Sequence, residues 1–404
     1  MSSLRFVSLS ASRFFKSTHL TALGFYCVYI FGCAVSYGQE NQVLVKPTVL
    51  AMQSAIEKKE IAGAVTIVAD KDQLLDFHAT GFANIAQKND MKKDSIFWIA
   101  SMSKPITGAC VMMMVDDGKI TLDDPIEKHL PAMSALKTED GEKHSVTIRQ
   151  LMNHTSGMRE IPAPNTYASA TLEEAVKKYA ELPLAFKPGS KWQYSQTSIN
   201  TAARIVEVVS GMSFDKFVEE RLCKPLGMSD TGFYLTDEQN LRLATSYKRT
   251  NAGQLEPNPI WLLNGASPTD RNRMPAANGG LFSTAGDYAK FCQMLLSEGT
   301  VEGKKILSSD AVKTFRTIST GELVTAFTPG NGWGVGCCVV REPQGVTETL
   351  SPGAFGHGGA FGTQAWIDPM KNRIYIMMVQ RSNFQNGDNS NVRKAFQSAA
   401  VGLK

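Results

Sequence analysis

The chain has 404 residues, 43% hydrophobic and 20% charged, the balance of an ordinary soluble globular protein with a large core. Its formal charge is +4, and three of those charges (Arg5, Arg13 and Lys16) sit in residues 1–38, which hold no acid. The remainder is nearly neutral, which argues against nucleic acid or an anionic surface as the main partner.

In chain order, a basic stretch through Lys16 leads into the apolar run Leu20–Val35, too short for a comfortable membrane span. Small residues Ala34 and Ser36 permit cleavage before Tyr37, or equally before Gln39, so residues 1–38 read as an export signal. Ile30-Phe31-Gly32-Cys33 resembles a bacterial lipoprotein box, leaving a lipid anchor at Cys33 as the alternative. The only expected membrane contact is through this segment. Five cysteines follow it, scattered and odd in number, which is no disulfide framework. Cys337 and Cys338 read as buried residues on alternate faces of a strand.

Residues 45–60 read as a helix, and Gly63–Asp70 and Leu74–Gly81 as two strands joined at Lys71-Asp72. From Ser101 to about Thr284 the pattern is mostly helical, with amphipathic segments at Asn200–Val209 and Phe214–Leu222. Another helix runs from Ser283 through Leu296. Strand patterns return at Gly334–Val340, Thr363–Ile367 and Arg373–Gln380, and a helix follows Asn391. Strands at both ends with helices between predict one sheet built from both termini, carrying an inserted helical lobe. A cleft would form where the two meet.

Chemistry enters at Ser101-Met102-Ser103-Lys104. On a helix beginning near Ser101, Lys104 lies one turn on, within reach of the hydroxyl. A serine needs a base, and a lysine serves when burial lowers its pKa. The spacing recurs at Ser134/Lys137 and Ser213/Lys216. Ser134 runs into a charged, solvated loop, and Ser213 reads as the N-cap of an amphipathic helix. Only Ser101 opens into a segment, Pro105–Val115, apolar enough to bury its first turn. Taken alone, Ser101 reads equally well as an N-cap.

Two more segments stand out: Trp192-Gln193-Tyr194-Ser195-Gln196, after the turn Pro188-Gly189-Ser190, and Phe355-Gly356-His357-Gly358-Gly359-Ala360, glycine-rich and entering a strand. With Ser101–Lys104 they resemble the three motifs of the serine β-lactamase, penicillin-binding protein and related esterase superfamily. Ile120–Pro125, Leu151–Met158, Pro225–Met228 and Gly280–Thr284 are similar to phrases of its class C β-lactamase-like branch. The resemblance spans roughly residues 45–400.

It implies an α/β (α+β) fold of the β-lactamase/DD-peptidase type, an antiparallel sheet flanked by helices with an inserted all-helical lobe. The domain would occupy 39–404, with a sheet lobe at about 40–100 and 285–404 and a helical lobe at about 101–284. By the same resemblance Ser101 is the acylated nucleophile, Lys104 its base or proton relay, and Tyr194 the second relay member. A phenol beside an ammonium is also easier to ionise. The bland alternative for Tyr194 is a buried aromatic with a bonded hydroxyl. The backbone N–H groups of Ser101 and Ala360 would form the oxyanion hole, with Gly359 allowing close approach.

His357 stands where β-lactamases usually carry lysine and would be only partly charged at neutral pH. Gly358 replaces a hydroxyl residue that would hold a substrate carboxylate. Gln196 departs from the usual asparagine or serine, which puts its contact to Lys104 or to the acyl side chain in doubt. His154 lies in a turn and reads as structural. The loops around 160–180 and 250–275 are expected to shape the pocket.

There is no Gly-x-Ser-x-Gly elbow, no complete phosphate loop at Gly299–Lys304 and no histidine spacing for a metal. The expectation is an exported, cofactor-free and metal-free serine hydrolase acting on small esters or amides. The alternatives are a β-lactamase or D-alanyl-D-alanine carboxypeptidase on a peptidoglycan-derived substrate, and a penicillin-recognising sensor or binding module without turnover.

Overall fold

A computed structural model describes residues 45–162, 165–325 and 328–403. The export-signal segment, its cleavage positions and Cys33 lie outside them. Helix α1 (Pro47–Glu57) has proline at its first turn, where the missing N–H costs least. It is followed by strands β1 (Gly63–Ala69), β2 (Leu74–Asn84) and the short β3 (Asn89–Asp90). Asp70 accepts the N–H groups of Asp72 and Gln73 at 2.8 Å and so forms the β1–β2 turn.

The helices α2 (Ser103–Asp116), α3 (Gln196–Ser210) and α4 (Ala285–Leu296) come next. The chain then returns to the sheet with β4 (Asn331–Trp333), β5 (Cys338–Val340), β6 (Phe355–Gly358), β7 (Gln364–Asp368) and β8 (Arg373–Met378), before helix α5 (Asn391–Ala400). Their order is β4-β5-β6-β7-β8-β1-β2-β3, antiparallel throughout. The sheet is therefore sewn from both ends of the described chain, β1 pairing with β8 from Val65↔Met378 to Ala69↔Ile374.

Both faces of this sheet are covered. On β8, Ile374, Ile376 and Met378 join the core shared with α2 and α4, while Tyr375 and Met377 join the one beneath α1 and α5. This double burial explains why β1 and β8 read as continuous apolar runs. Helix α2 is enclosed on every side, with residues 103–114 all buried.

Two local readings are corrected. Gly334–Val340 is a hairpin turn and a short strand: Trp333 pairs with Cys338 and the chain reverses between them. Gly336 makes that turn at φ +75°, where a Cβ would come within 2.6 Å of the Lys104 carbonyl oxygen. Cys337 thus lies in the turn, although it and Cys338 do face opposite cores. The segment after Ser213 is α-helical only through Val218 and then widens into a π turn at Glu219–Cys223. Ser213 stands at the N-cap without bonding through its side chain; the Glu207 carboxylate takes the Phe214 N–H instead, at 2.9 Å.

Candidate active site

The approach to Ser101 is a short strand, Phe97–Trp98, paired with Phe282–Ser283. The chain then tightens into a 3-10 turn at Ala100–Met102, with Ala100 at φ +46°. A residue with a Cβ reaches that region only at a cost of about 1–3 kcal/mol, and such strain gathers at functional sites. The Trp98 indole N–H, donating to the Gly279 carbonyl at 2.7 Å, pins the turn. Because α2 begins at Ser103 with Met102 as its N-cap residue, Ser101 is not a cap. Its hydroxyl is left at a cavity wall.

Lys104 follows in the first turn of α2, fully buried. Its Nζ has three partners: the Gln196 amide oxygen at 2.8 Å, the Asn278 carbonyl oxygen at 2.6 Å and Ser101 Oγ at 3.2 Å. The first two can only accept. Asn278 Nδ2 also donates to Gln196 Oε1, at 2.9 Å, in keeping with that orientation of the amide. A neutral amine therefore spends both protons on Gln196 and Asn278 and turns its lone pair to the serine hydroxyl. Burial is what favours the neutral form, pulling Lys104 down to about 7 against the attraction of Glu160. The Glu160 carboxylate accepts the Gln196 and Thr197 N–H groups at 2.6 and 3.3 Å, at the start of α3.

The Gln196 contact to Lys104 is thus made despite the longer side chain. In the other two Ser-x-x-Lys copies both members are exposed, so neither pair sits in a buried pocket like that of Lys104.

Tyr194 is hydrogen-bonded to Ser101, and its oxygen lies 3.4 Å from His357 Nε2. The expected ease of ionisation is reversed: burial pushes the phenol well above its ordinary range. Lys104 Nζ sits 4.6 Å from the ring centroid and does not offset that burial. Tyr194 is a protonated donor at rest. His154 backs it, rings 4.5 Å apart, while its Nδ1 accepts the Ser195 N–H at 3.1 Å; burial keeps it neutral. That is a structural histidine, held at φ +64° in its turn.

The glycine-rich motif is β6 itself. His357 Nδ1 lies 2.6 Å from the Gly358 carbonyl, which can only accept, so that nitrogen carries the proton and Nε2 faces Tyr194 as an acceptor. Burial, then Lys104, lowers His357 to about 4. It is uncharged at neutral pH, where partial charge was expected. A Cβ at Gly358 would fall 1.7 Å from Asp388 Oδ1. Restoring a hydroxyl residue at 358 would require the Asp388 and Gln364 side chains to shift, because their ends already fill the place.

Ser101, Tyr194, Gln196, His357, Gly358, Gly359 and Ala360 line one cavity of about 480 Å³, with Lys104 behind its wall. Neither the Ser101 nor the Ala360 N–H donates to another described residue. From the loop at 250–275 come Trp261 and Leu262. From 160–180, Tyr167 stays one layer back, accepting from Asn278 Nδ2 at 2.9 Å. Asn278, Glu160 and residues 385–388 were missed in the sequence; the last of these line the cavity without any motif to mark them.

Residues 50–399 match the Beta-lactamase family. The chain is 27% identical to esterase EstB of Burkholderia gladioli over 347 residues, 78% of this chain and 84% of the relative. To the D-alanyl-D-alanine-carboxypeptidase/endopeptidase AmpH of Escherichia coli it is 26% identical over 327 residues, covering 79% and 80%. Among solved structures, EstCE1, a hydrolase with promiscuous acyltransferase activity, superposes with a TM-score of 0.76 at 26% identity, over 88% of this chain and 98% of that one. With the motifs in order and the antiparallel sheet in place, the chain belongs to the Beta-lactamase family of serine hydrolases.

Proposed function

We propose that this protein hydrolyses small esters, and more slowly amides, through an acyl-enzyme on Ser101, outside the cytoplasm if residues 1–38 act as an export signal. The observation that carries this is the fully buried Lys104 amine, 3.2 Å from Ser101 Oγ. Lys104 takes the serine proton as Oγ attacks the substrate carbonyl. The Ser101 and Ala360 N–H groups, free of other described partners, receive the oxyanion. Tyr194 gives its proton to the leaving group and regains one from Lys104. The same groups then act on water to release the acid.

Esters are favoured because His357 is uncharged and Gly358 offers no hydroxyl for a substrate carboxylate. A hydrogen bond to a charged group contributes about 1.5–3 kcal/mol, so kcat/KM for short nitrophenyl esters should exceed that for a chromogenic cephalosporin by roughly ten- to a hundredfold. Below pH 7 Lys104 gains a third proton, which points at Ser101 and removes the base. Ester kcat/KM should therefore climb with pH to a plateau with its midpoint near 7. A profile flat from about pH 6 to 8 would place the base elsewhere, and a cephalosporin cleaved as efficiently as the esters would refute the substrate preference.

A further inference from the structure

Asp388 is the one residue lining the cavity that carries a formal charge, among the described residues and with His357 neutral. Its placement is fixed from three sides. Oδ1 accepts from Gln364 Nε2 at 2.9 Å, and Gln364 is the cross-strand partner of Gly358. The Asp388 N–H donates to the Asn386 side chain at 3.0 Å. Its carbonyl accepts from Arg393 Nη1 at 2.6 Å, and Arg393 is buried with its guanidinium 4.3 Å over the Trp366 ring. Arg393 thus clamps the main chain, leaving the carboxylate over the Gly358–Gln364 pair.

That is the position where a hydroxyl and a cation would hold a substrate carboxylate. Here the space belongs to a carboxylate of the protein, since even a Cβ on Gly358 would overlap Asp388 Oδ1. The neighbouring cavity wall is aromatic: Trp98 and Trp261, rings 5.3 Å apart in a T-shape, and Tyr194. A carboxylate beside aromatic rings attracts organic ammonium groups.

We propose that Asp388 is a specificity-determining residue that rejects substrates bearing a carboxylate beside the scissile bond and favours those bearing an ammonium there. The proposal rests on the reading of Ser101 as the acylated residue. Within that reading it separates this protein from any relative that handles substrates with a carboxylate at this point.

The test uses three methylphosphonothiolates of matched shape, whose leaving thiols carry a trimethylammonium group, its neutral tert-butyl counterpart or a carboxylate. Each captures Ser101 without turnover: the Oγ–P bond forms as P–S breaks, and the serine proton leaves on the thiol. Labelling rates at Ser101 are read by mass spectrometry. The expected order is cationic, neutral, anionic, with a cation-to-anion ratio of roughly thirtyfold or more at low salt, shrinking severalfold in about 0.5 M salt. Asp388→Asn, which keeps an oxygen for Gln364, should cut that ratio at least about tenfold. Equal rates in the wild type, or a ratio unchanged in Asp388→Asn, would overturn the proposal alone. Should Asp388→Asn not fold, a wild-type ratio indifferent to salt overturns it. Failure of the neutral reagent to label Ser101 overturns the serine reading, and this proposal with it.

Discussion

Ser101→Ala is expected to lower ester turnover by a factor on the order of 10⁴ or more and to abolish labelling by a fluorophosphonate. No other described hydroxyl meets the Lys104 amine, so nothing replaces the nucleophile. The fold should hardly notice. Ser101 is only half-buried, caps no helix, and leaves Lys104 with Gln196 and Asn278 when removed. A change within about 0.5 kcal/mol, read from thermal unfolding, is expected. Labelling at Ser134 or Ser213, or surviving turnover in Ser101→Ala, would sink the assignment.

Lys104→Ala and Tyr194→Phe should each reduce turnover by a factor on the order of 10² or more, and the double variant little further than the worse single one. Both residues bond the same oxygen, Ser101 Oγ, and in the proposed mechanism they pass protons that must balance within one step. Such groups act as a unit. The two variants should differ in pH profile: Lys104→Ala loses the rise near 7, whereas Tyr194→Phe keeps it. Full additivity, or near-wild-type rates in both, would show two independent roles or none.

Much of this site was legible because its chemistry is local in sequence. Ser101 and Lys104 are one helical turn apart, and the apolar run after Pro105 announces the burial that lowers the lysine. Tyr194, Gln196 and His357 were legible only through the likeness of their phrases to a family. The partners that decide proton positions left no trace. The Asn278 carbonyl, 174 residues from Lys104, is a main-chain atom that any residue would supply. Glu160 acts through backbone N–H groups of α3. Asp388 was invisible because the reason for glycine at 358 is an oxygen delivered by a distant turn. The sense of the Tyr194 shift was misread for a similar reason: sequence placed a lysine nearby without saying how completely the fold buries the phenol.

In the fold, strands at both ends and helices between could be read from alternating and continuous apolar runs. The hairpin around Gly336 could not. Its apolar residues continue unbroken through the turn, and the glycine needed for the left-handed step sits close against α2.

The buried amine also makes the protein less stable than it need be. A lysine held near 7 in place of its ordinary 10.5 costs about 5 kcal/mol of folding free energy at or below pH 7, where the unfolded chain keeps its ammonium in water. Between pH 7 and 10.5 the unfolded state binds the extra proton, so stability rises with pH and the handicap fades toward the upper value. Lys104→Met should therefore unfold at a higher temperature than the wild type at pH 7, even after about 1–3 kcal/mol is lost at the Asn278 carbonyl left without its donor. The gap should narrow as pH approaches 10.5. A Lys104→Met protein no more stable than the wild type at pH 7 would mean that the lysine is not held uncharged. Under the proposed mechanism, stability given up at one position is the standing cost of a serine that reacts at neutral pH.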